Sequence, residues 1–476
     1  MRTFARPSVF VIASLVLFAG CKLFDPVKNN DAPKMPQSYS GSQDTTNSAD
    51  IKWRDFFADK NLVSLIDTAL KNNFDMLIAL QDIQVARNEL RMRSGMLFPT
   101  VEGHVEVGQE KVGHYTSQGA GDASAYITPG NIVPEHLNDF TFGLYATWEV
   151  DIWKKLRNAK KASYTRYLAS MEGRNFVITN LVAEICNDYY ELLSLDNQLD
   201  VIRETIKLQQ NALEIVRIQK EASVVSELAV KKFEAEVLNS QSREYDVLQQ
   251  IKETENRINF LLGRFPQPVI RDKSTFMTQT LQQVKGGVPS QLLANRPDIK
   301  QTELELFATK CDVKVAQAEF YPSFNITGSL GFDAFKTAYL LTTPESFMYS
   351  VVGGLVGPLI NRNAIKAEFN KAKAYQLEAL YNYQKTILNA YMEVSNELSN
   401  IDNLGKLVDL KNKEVETLVK SIDISNDLFK SARADYFEVL MTQRDALESK
   451  LELLEWRKQQ YQAMVNLYRA LGGGWR

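Results

Sequence analysis

The sequence is poor in the residues that bind metals or transfer protons. Its 476 residues include three cysteines and three histidines, with no CxxC and no HExxH motif, which leaves little support for a zinc or haem site. It also has no glycine-rich phosphate loop and no Ser/His/Asp pattern, so an enzyme is not expected. Cys186 and Cys311 lie among apolar helical positions and are predicted to be buried structural thiols. We therefore expect no catalytic site, no metal and no cofactor.

The chain also lacks an excess of charge and a long apolar run. Lysine and arginine total 55 against 58 aspartate and glutamate residues, a formal net charge of -3, which disfavours nucleic acid as a partner. No apolar run approaches the ~20 residues that a membrane-spanning helix needs. A protein with several membrane helices is therefore not expected. A membrane β-barrel stays possible, because its strands barely change the average hydropathy.

The remaining cysteine, Cys21, ends an N-terminal targeting signal. Two arginines precede an apolar stretch at residues 9–18, which is too short to span a bilayer and is typical of a signal peptide. The stretch runs into Phe18-Ala19-Gly20-Cys21, which resembles the lipobox of bacterial lipoproteins. That resemblance implies cleavage after residue 20, a diacylglycerol and an acyl chain on Cys21, and, with Lys22 next, transport to the outer membrane. The alternative is an ordinary signal peptide with a cysteine there by chance.

Proline and glycine, which break helices, are scarce in two long stretches. No proline lies between Pro134 and Pro266, and none follows Pro358. Each stretch exceeds a hundred residues, and in both of them apolar residues recur at 3-4 spacing. That spacing predicts long helices packed as coiled coils. The departures from it are Gln209 in the first stretch and Lys411 and Ser425 in the second.

The chain is a tandem duplication of one unit: helix, strand, loop, strand, long helix, turn, helix. Asn72, Asp75 and Phe98-Pro99-Thr100 recur 223 residues later as Asn295, Asp298 and Tyr321-Pro322-Ser323, and Leu262-Gly263 recurs 209 residues later as Leu471-Gly472. The distance between matching residues falls from 223 to 209, which places about 14 extra residues in the first loop, around Gly119-Ala120-Gly121. We predict helices over residues 62–97, 156–222, 226–263, 292–320, 365–431 and 435–472.

Four short segments are predicted to be strands, at residues 100–108, 140–150, 324–332 and 347–357. The first three alternate apolar with polar or small residues, which gives one dry and one wet face, while the fourth alternates poorly. His104 falls on the wet face and is interpreted as a solvated residue. Strands of about ten residues fit a transmembrane barrel, although a soluble sheet packed on helices would alternate in the same way. Because four strands cannot close around a lumen and lipid does not tolerate an open edge, membrane insertion requires several copies.

Five segments carry a family resemblance: Trp53-Arg54-Asp55-Phe56-Phe57, Asn295-Arg296-Pro297-Asp298-Ile299, Phe320-Tyr321-Pro322, Gly357-Pro358-Leu359-Ile360-Asn361 and Leu467-Tyr468-Arg469-Ala470-Leu471-Gly472-Gly473-Gly474-Trp475. Through them the chain resembles the TolC-like outer membrane efflux family, in its lipoprotein branch, the outer membrane factors of resistance-nodulation-division pumps. The resemblance implies a mainly α protein with membrane β structure. Each protomer of a homotrimer would contribute four strands to a 12-stranded β-barrel and long helices to a periplasmic α-barrel.

The expected function is passive export. A channel of this kind would carry drugs, toxic solutes or metal ions from an inner-membrane pump and a periplasmic adaptor to the exterior. The alternatives are the exit channel of a type I protein secretion system and, less favoured, a coiled-coil surface lipoprotein. The predicted division of the chain is a signal peptide (1–20), a lipidated N-terminus with a polar tether (21–51), a first efflux repeat (52–265), an equatorial linker (266–290) and a second efflux repeat (291–476).

Gating is expected at the turns between long and return helices, residues 221–226 and 430–435, where helix ends converge. By the family resemblance, an aspartate commonly stands where this chain has a methionine at 441, which puts the usual charged aperture in doubt. A glutamate one helical turn earlier can supply an acidic ring, and a nearby phenylalanine an apolar constriction. The alternative is that these are surface charges and a core phenylalanine. The residues predicted to line the closed tip are Asp435, Phe437, Glu438, Met441 and Arg444.

Overall fold

The computed structural model describes residues 33, 35–39, 46–278, 284–360, 362–431 and 433–476. The predicted signal peptide, Cys21 and most of the predicted tether lie outside the described residues. Asn361, one of the residues that carry the family resemblance, also lies outside them.

Short strands and very long helices alternate in two successive halves. The first half contains α1 (Trp53–Phe56), α2 (Lys60–Asn72), α3 (Phe74–Gly95), β1 (Thr100–Glu110), α4 (Ser117–Asp122), β2 (Tyr126–Thr128), β3 (Asn131–Ile132), β4 (Leu137–Val150), α5 (Lys155–Glu221) and α6 (Glu227–Leu261). The second half contains α7 (Leu292–Asn295), α8 (Pro297–Ala318), β5 (Ser323–Ala334), β6 (Phe347–Val356), α9 (Asn363–Lys430) and α10 (Tyr436–Ala470). Among the helices described, none combines the length and apolarity needed to cross a membrane.

The four long strands form one antiparallel sheet in the order β1-β4-β5-β6. The two halves meet at its centre, where Gly143 of β4 faces Gly331 of β5. A Cβ on either glycine would lie within 2.6 Å of the opposite strand's backbone, so this close approach requires glycine. The β1–β4 connection has 26 residues and holds α4 and the β2–β3 hairpin, whereas the β5–β6 connection has 12. The predicted insertion in the first loop is confirmed.

The helices form a single layer in two stages. Near the sheet the neighbours run α3-α5-α8-α9, and further away they run α6-α5-α10-α9. Helices α5 and α9, of 67 and 68 residues, are each about 100 Å long at 1.5 Å per residue. Both span the two stages, while the shorter helices meet at the middle. The largest hydrophobic cluster lies at that level and contains the buried Cys186, and Cys311 is buried as well, as predicted.

The predictions of one continuous helix over 62–97 and over 292–320 are wrong. The first is interrupted at Asn73 and the second at Arg296, and both of these residues have extended backbones. The side chain of Asn73 bridges the break: its Oδ1 accepts from the amide of Met76, and its Nδ2 donates to the carbonyl of Leu261 at the end of α6, at 3.1 and 3.0 Å. Helix α3 is therefore capped by the same side chain that holds the end of α6 beneath it.

The second half builds the same joint with different chemistry. Nη1 of Arg296 donates to the carbonyl of Ala470 at the end of α10, at 2.9 Å, and its guanidinium also pairs with Asp298 and Glu393. Proline at 297 starts α8, where the missing N–H has no cost. In both halves a return helix thus ends against the break in an incoming helix.

A glycine follows each of these helix ends. Gly263 and Gly472 have φ of +66° and +92°, and a Cβ would lie 2.4 Å from the carbonyl oxygen of Asn72 and 2.6 Å from that of Asn295. Positive φ and this close backbone approach both favour glycine. The Leu-Gly pair that recurs in the sequence therefore allows the end of each return helix to pack directly against the break in an incoming helix.

A polar layer divides the apolar packing of α5 with α6 and α10. The cluster above it ends at Ile206 on α5, and the cluster below it begins at Leu213 on the same helix. Between them lie buried Gln209 on α5, Ser240 on α6 and Gln443 on α10. Both side-chain polar atoms of Gln209, the Ser240 hydroxyl and the Gln443 Oε1 are buried without a hydrogen-bond partner among the described residues. The departure that Gln209 makes from the apolar spacing is thus part of a three-helix feature.

The end of the predicted tether is packed against the helices. Tyr39 is buried and its ring stacks on Tyr391 of α9 at 5.3 Å between centroids. Asn47 pairs with Gly286 of the predicted linker, and the amide of Ser48 donates to the carbonyl of Lys285 at 3.1 Å. The two connections therefore lie together on one face of the helical layer.

We expect Gly472→Ala to lower the melting temperature of the detergent-solubilised protein. An alanine at positive φ costs roughly 1–3 kcal/mol, and its Cβ would also clash with the Asn295 carbonyl. Gly405→Ala is the matched control, because Gly405 lies inside α9 and a Cβ there meets nothing within 4 Å. The control should gain about 0.5–1 kcal/mol. Equal melting temperatures for the two variants would contradict the requirement for glycine at this joint.

We expect Gln209→Leu to raise the melting temperature. The substitution removes two buried polar atoms that have no partner in the described ranges, and burial of such atoms costs roughly 1–3 kcal/mol each. Gln210→Leu is the control, since Gln210 is exposed on the same helix and its change should stay within about 0.5 kcal/mol. A destabilised Gln209→Leu protein would show that the polar layer is satisfied in solution.

Candidate functional site

One face of the sheet carries only acidic charge. The pairings of β1 with β4 and of β4 with β5 place Glu102, Glu106, Asp139, Glu149 and Asp333 on the same face. No lysine or arginine occurs in β1, β4, β5 or β6. His104 lies on this face as predicted, with its Nε2 2.9 Å from Oε2 of Glu106. On β4 and β5 this face also carries hydroxyls and amides, such as those of Thr141, Ser329 and Asn325.

The opposite face of the sheet is apolar and open. Its exposed side chains include Val105, Phe142, Leu144, Leu330, Tyr349, Val351 and Leu355. Three of them, Val105, Tyr349 and Val351, are more than 70% exposed in the protomer. An apolar surface of this extent on a strand face is favourable against lipid and unfavourable in water. The predicted division into a wet and a dry face is confirmed for β1, β4 and β5. On β6, for which poor alternation was predicted, Met348, Val352 and Val356 lie on the acidic face.

The helical layer has a polar face that contains a cavity of about 600 Å³, here called the wall cavity. It lies between α5, α8 and α9. Arg166 crosses it from α5, with its Nε 3.1 Å from Glu305 and its terminal nitrogen bound to Asp312. Burial lowers the pKa of Arg166, and its bonds to Asp312 and Glu305 more than offset this, so the pKa is raised overall. Further carboxylates on the wall belong to Glu319, Glu368 and Glu378.

Further along α5, burial raises the pKa of two carboxyl groups. Desolvation raises the pKa of Asp188 to about 6; Arg257, 3.1 Å away, opposes the rise, and Glu184 and Glu191 reinforce it. Burial, and then Asp75, raise the pKa of Glu184 as well. Neighbouring carboxylates thus crowd this part of the helical layer.

The far end of the layer consists of two helix turns. Residues 222–226 join α5 to α6, and 431–435 join α9 to α10, which confirms the positions predicted for these turns. Asp435, Phe437 and Glu438 are exposed there, and Phe437 shows 56% of its surface. The exposed phenylalanine is therefore outside the protomer's core.

The other two predicted tip residues are less exposed. Met441 and Arg444 are half-buried. Nε of Arg444 is buried without a partner among the described residues, and a terminal nitrogen lies 3.6 Å from Asp445. The structure thus places three of the five predicted side chains on the surface of the tip and holds the other two closer to the helix packing.

The lateral edges of the protomer lack partners. In the described part of the chain, β1 and β6 are each paired on one side only. The edge helices carry exposed apolar stripes on the side away from their neighbours: Phe74, Ile78, Val85 and Met92 on α3, and Tyr381, Leu388 and Met392 on α9.

These edge residues and the wall cavity were not among the predicted site residues. The α3 stripe recurs at spacings of 4, 7 and 7, which the sequence displays. That spacing indicates an apolar helix face but not whether the chain itself covers it. The cavity depends on which faces of three distant helices come together, which the sequence does not display.

Comparison with known proteins agrees with this architecture. The family model described as outer membrane efflux protein matches residues 65–264 and 288–473. The chain is 27% identical over 463 residues to the cation efflux system protein CusC of Escherichia coli O6:H1 (strain CFT073), covering 96% of each chain. It is 25% identical over 483 residues to the probable outer membrane lipoprotein SilC of Salmonella typhimurium, covering 98% of each.

Among solved structures, the open state of the Neisseria gonorrhoeae MtrE outer membrane channel superposes with a TM-score of 0.81 at 20% identity, covering 95% of this chain and 98% of that one. The fold is thus that of the outer membrane channels, as the resemblance implied. With both repeats matched over most of their length, the chain belongs to the outer membrane efflux protein family and is an outer membrane exit channel.

Proposed function

We propose that three copies of this chain form one continuous duct that serves as the exit of a tripartite efflux pump. The observation that carries the proposal is the pair of edges, β1 with α3 and β6 with α9, that have no partner in the described part of the chain. A neighbouring copy would place its β1 against β6 and its α3 against α9. Such a ring has no free edge, which is the condition for strands in lipid.

The size of the bore favours three copies over two. Two copies would give eight strands, and the interior of an eight-stranded barrel is largely filled by side chains. Three copies give twelve strands and leave a lumen lined by the acidic face of the sheet. The apolar face then meets lipid, and the exposed stripes of α3 and α9 become buried between protomers.

The duct moves solutes without supplying energy or chemistry. A pump in the inner membrane, of the resistance-nodulation-division type, would deliver its substrate through a periplasmic adaptor to the tip formed by the two helix turns. Helices of about 100 Å carry the bore most of the way across the periplasm. CusC is named a cation efflux protein; for this chain, solute choice would rest mainly with the pump.

A lipid on Cys21 would add an anchor beside the barrel. The segment after it reaches the helical layer at Tyr39 and Asn47, where it is packed, so the intervening chain would connect membrane and equator. SilC, a probable outer membrane lipoprotein by name, is similar over nearly its whole length. This supports the proposed diacylglycerol and acyl modification.

We expect Val85→Asp to abolish the trimer. Val85 is 68% exposed in the protomer, so the protomer should fold, but the interface would bury an unpaired carboxylate at a cost of several kcal/mol. Gln84→Asp is the control, because it adds the same side chain at an exposed position on another face of α3. The measurement is the mass of the detergent-extracted protein by native mass spectrometry. A trimeric Val85→Asp protein would contradict the proposed interface.

The tip assignment is tested by single-channel conductance in planar bilayers. We propose that Asp435, Phe437, Glu438, Met441 and Arg444 of three protomers line the closed aperture. Removing two charges from the proposed aperture, in the Glu438→Ala, Arg444→Ala variant, should raise the conductance several-fold. The control variant Glu448→Ala, Lys450→Ala removes one acid and one base further along α10. If the first variant conducts as little as the parent channel, these residues do not form the gate.

A further inference from the structure

We propose that the wall cavity binds organic cations with an apolar body on their way through the duct. The inference rests on the proposed function, because three copies enclosing a lumen make the cavity part of its wall. It adds a binding site within the exit channel to the passive bore described above.

The cavity opens to the bore side of the helical layer. Its residue Tyr375 and the covered residue Tyr391 are sixteen positions apart on α9, so at about 100° per residue they point roughly 160° apart. Tyr391 lies under Tyr39, and Leu398, on the same side, lies under Gly286. The N-terminal segment and the linker thus cover one face of the layer. In the proposed ring this face is the outer one, because the N-terminal segment comes from an anchor in the lipid around the barrel. Tyr375 and the cavity lie on the inner face, away from the α3–α9 contact between protomers.

The charge of the cavity selects a cation. Five carboxylates line it against one guanidinium, and Arg166 is already bound by Glu305 and Asp312. Glu368 has a lysine 3.4 Å away. Within the described part of the chain, the lining carboxylates that form ion pairs are Glu305, Asp312 and Glu368. The negative charges of Glu319 and Glu378 remain available to a solute.

The remaining lining suits a solute with a flat apolar body. Ala316, Ala372 and Ala379 leave the floor open, and the ring of Tyr375, 54% exposed, forms a wall. The face of such a ring attracts cations within about 6 Å of its centroid. The Lys371 ammonium is 5.9 Å from the centroid, close to that limit. The volume of about 600 Å³ is within the range of pockets that hold drug-sized ligands.

A bare metal ion does not fit this lining as well. Tight metal sites need several ligand atoms converging on one point, and no group of three or more His, Cys, Asp or Glu residues in the described ranges is placed to hold a metal. The carboxylates are instead spread around a space many times larger than an ion. An anionic solute would be repelled by the same charges.

The test uses the full-length trimer in detergent and ethidium, a planar aromatic monocation, titrated at low salt and followed by fluorescence anisotropy. We expect saturable binding that weakens about fivefold in the Glu319→Gln, Glu378→Gln variant and at least about threefold in Tyr375→Ala. Higher salt should weaken binding to the parent as well. Glu303→Gln, which removes an exposed carboxylate from another face of α8, should bind as the parent does.

Three results would overturn the proposal that the wall cavity binds organic cations. They are no saturable binding by a trimer that conducts, an unchanged affinity in the double variant, or equal binding of the anion fluorescein. Conductance of the same preparations separates this failure from failure of the duct. A monomeric chain that does not conduct would overturn the proposed function itself.

Discussion

The structure depends on matching one long helix with two short ones placed end to end. Helix α5 passes both stages of the layer without interruption, while α6 ends beneath α3, and α9 runs likewise beside α10 and α8. Each joint buries the last carbonyls of one helix, which need donors inside a hydrophobic cluster. Asn73 supplies a neutral amide in the first repeat and Arg296 a charged guanidinium in the second. Because the joints sit at the level of the largest core, they fix the register of the sheet above and of the tip below.

The Arg296 joint is the more demanding of the two. Its guanidinium is almost fully buried, and burial alone would lower its pKa; bonds to Asp298 and Glu393 reverse this and hold the charge. A buried cation of this kind is tolerated only when every donor is engaged. The repeat in sequence is therefore a repeat of function at the joint, achieved by residues of different chemistry. This explains why Asn-Arg-Pro-Asp-Ile opens only the second unit.

Much of this architecture could be predicted from the sequence because it depends on local patterns. The scarcity of proline and the 3-4 spacing located α5 and α9 to within two residues at each end, and the alternation located β1, β4 and β5. The breaks at Asn73 and Arg296 were missed, although Arg296 precedes a proline, a position that disfavours helix. Asn73 precedes no proline; its bond to the Met76 amide is local, but its second bond goes to a carbonyl 188 residues away. The wall cavity depends on three helices meeting, and the state of the tip depends on neighbouring copies, so neither is a property of a local pattern.

The distribution of polar residues along α5 separates a firm section from a weakly held one. Above the polar layer the helix packs through the large central cluster and through Leu195, Leu199, Ile202 and Ile206. Below it, about 18 Å of helix remains before the turn, counted from Gln209 at 1.5 Å per residue. That end lies far from the large central cluster and is separated from it by buried groups that weaken the packing. Sections that move are drawn from the least stable parts of a fold, and here the least stable section is the one that carries the tip. The same polar layer also fixes the register of α6 and α10 on α5, since a polar residue at a core position penalises every alignment that sets it against apolar partners.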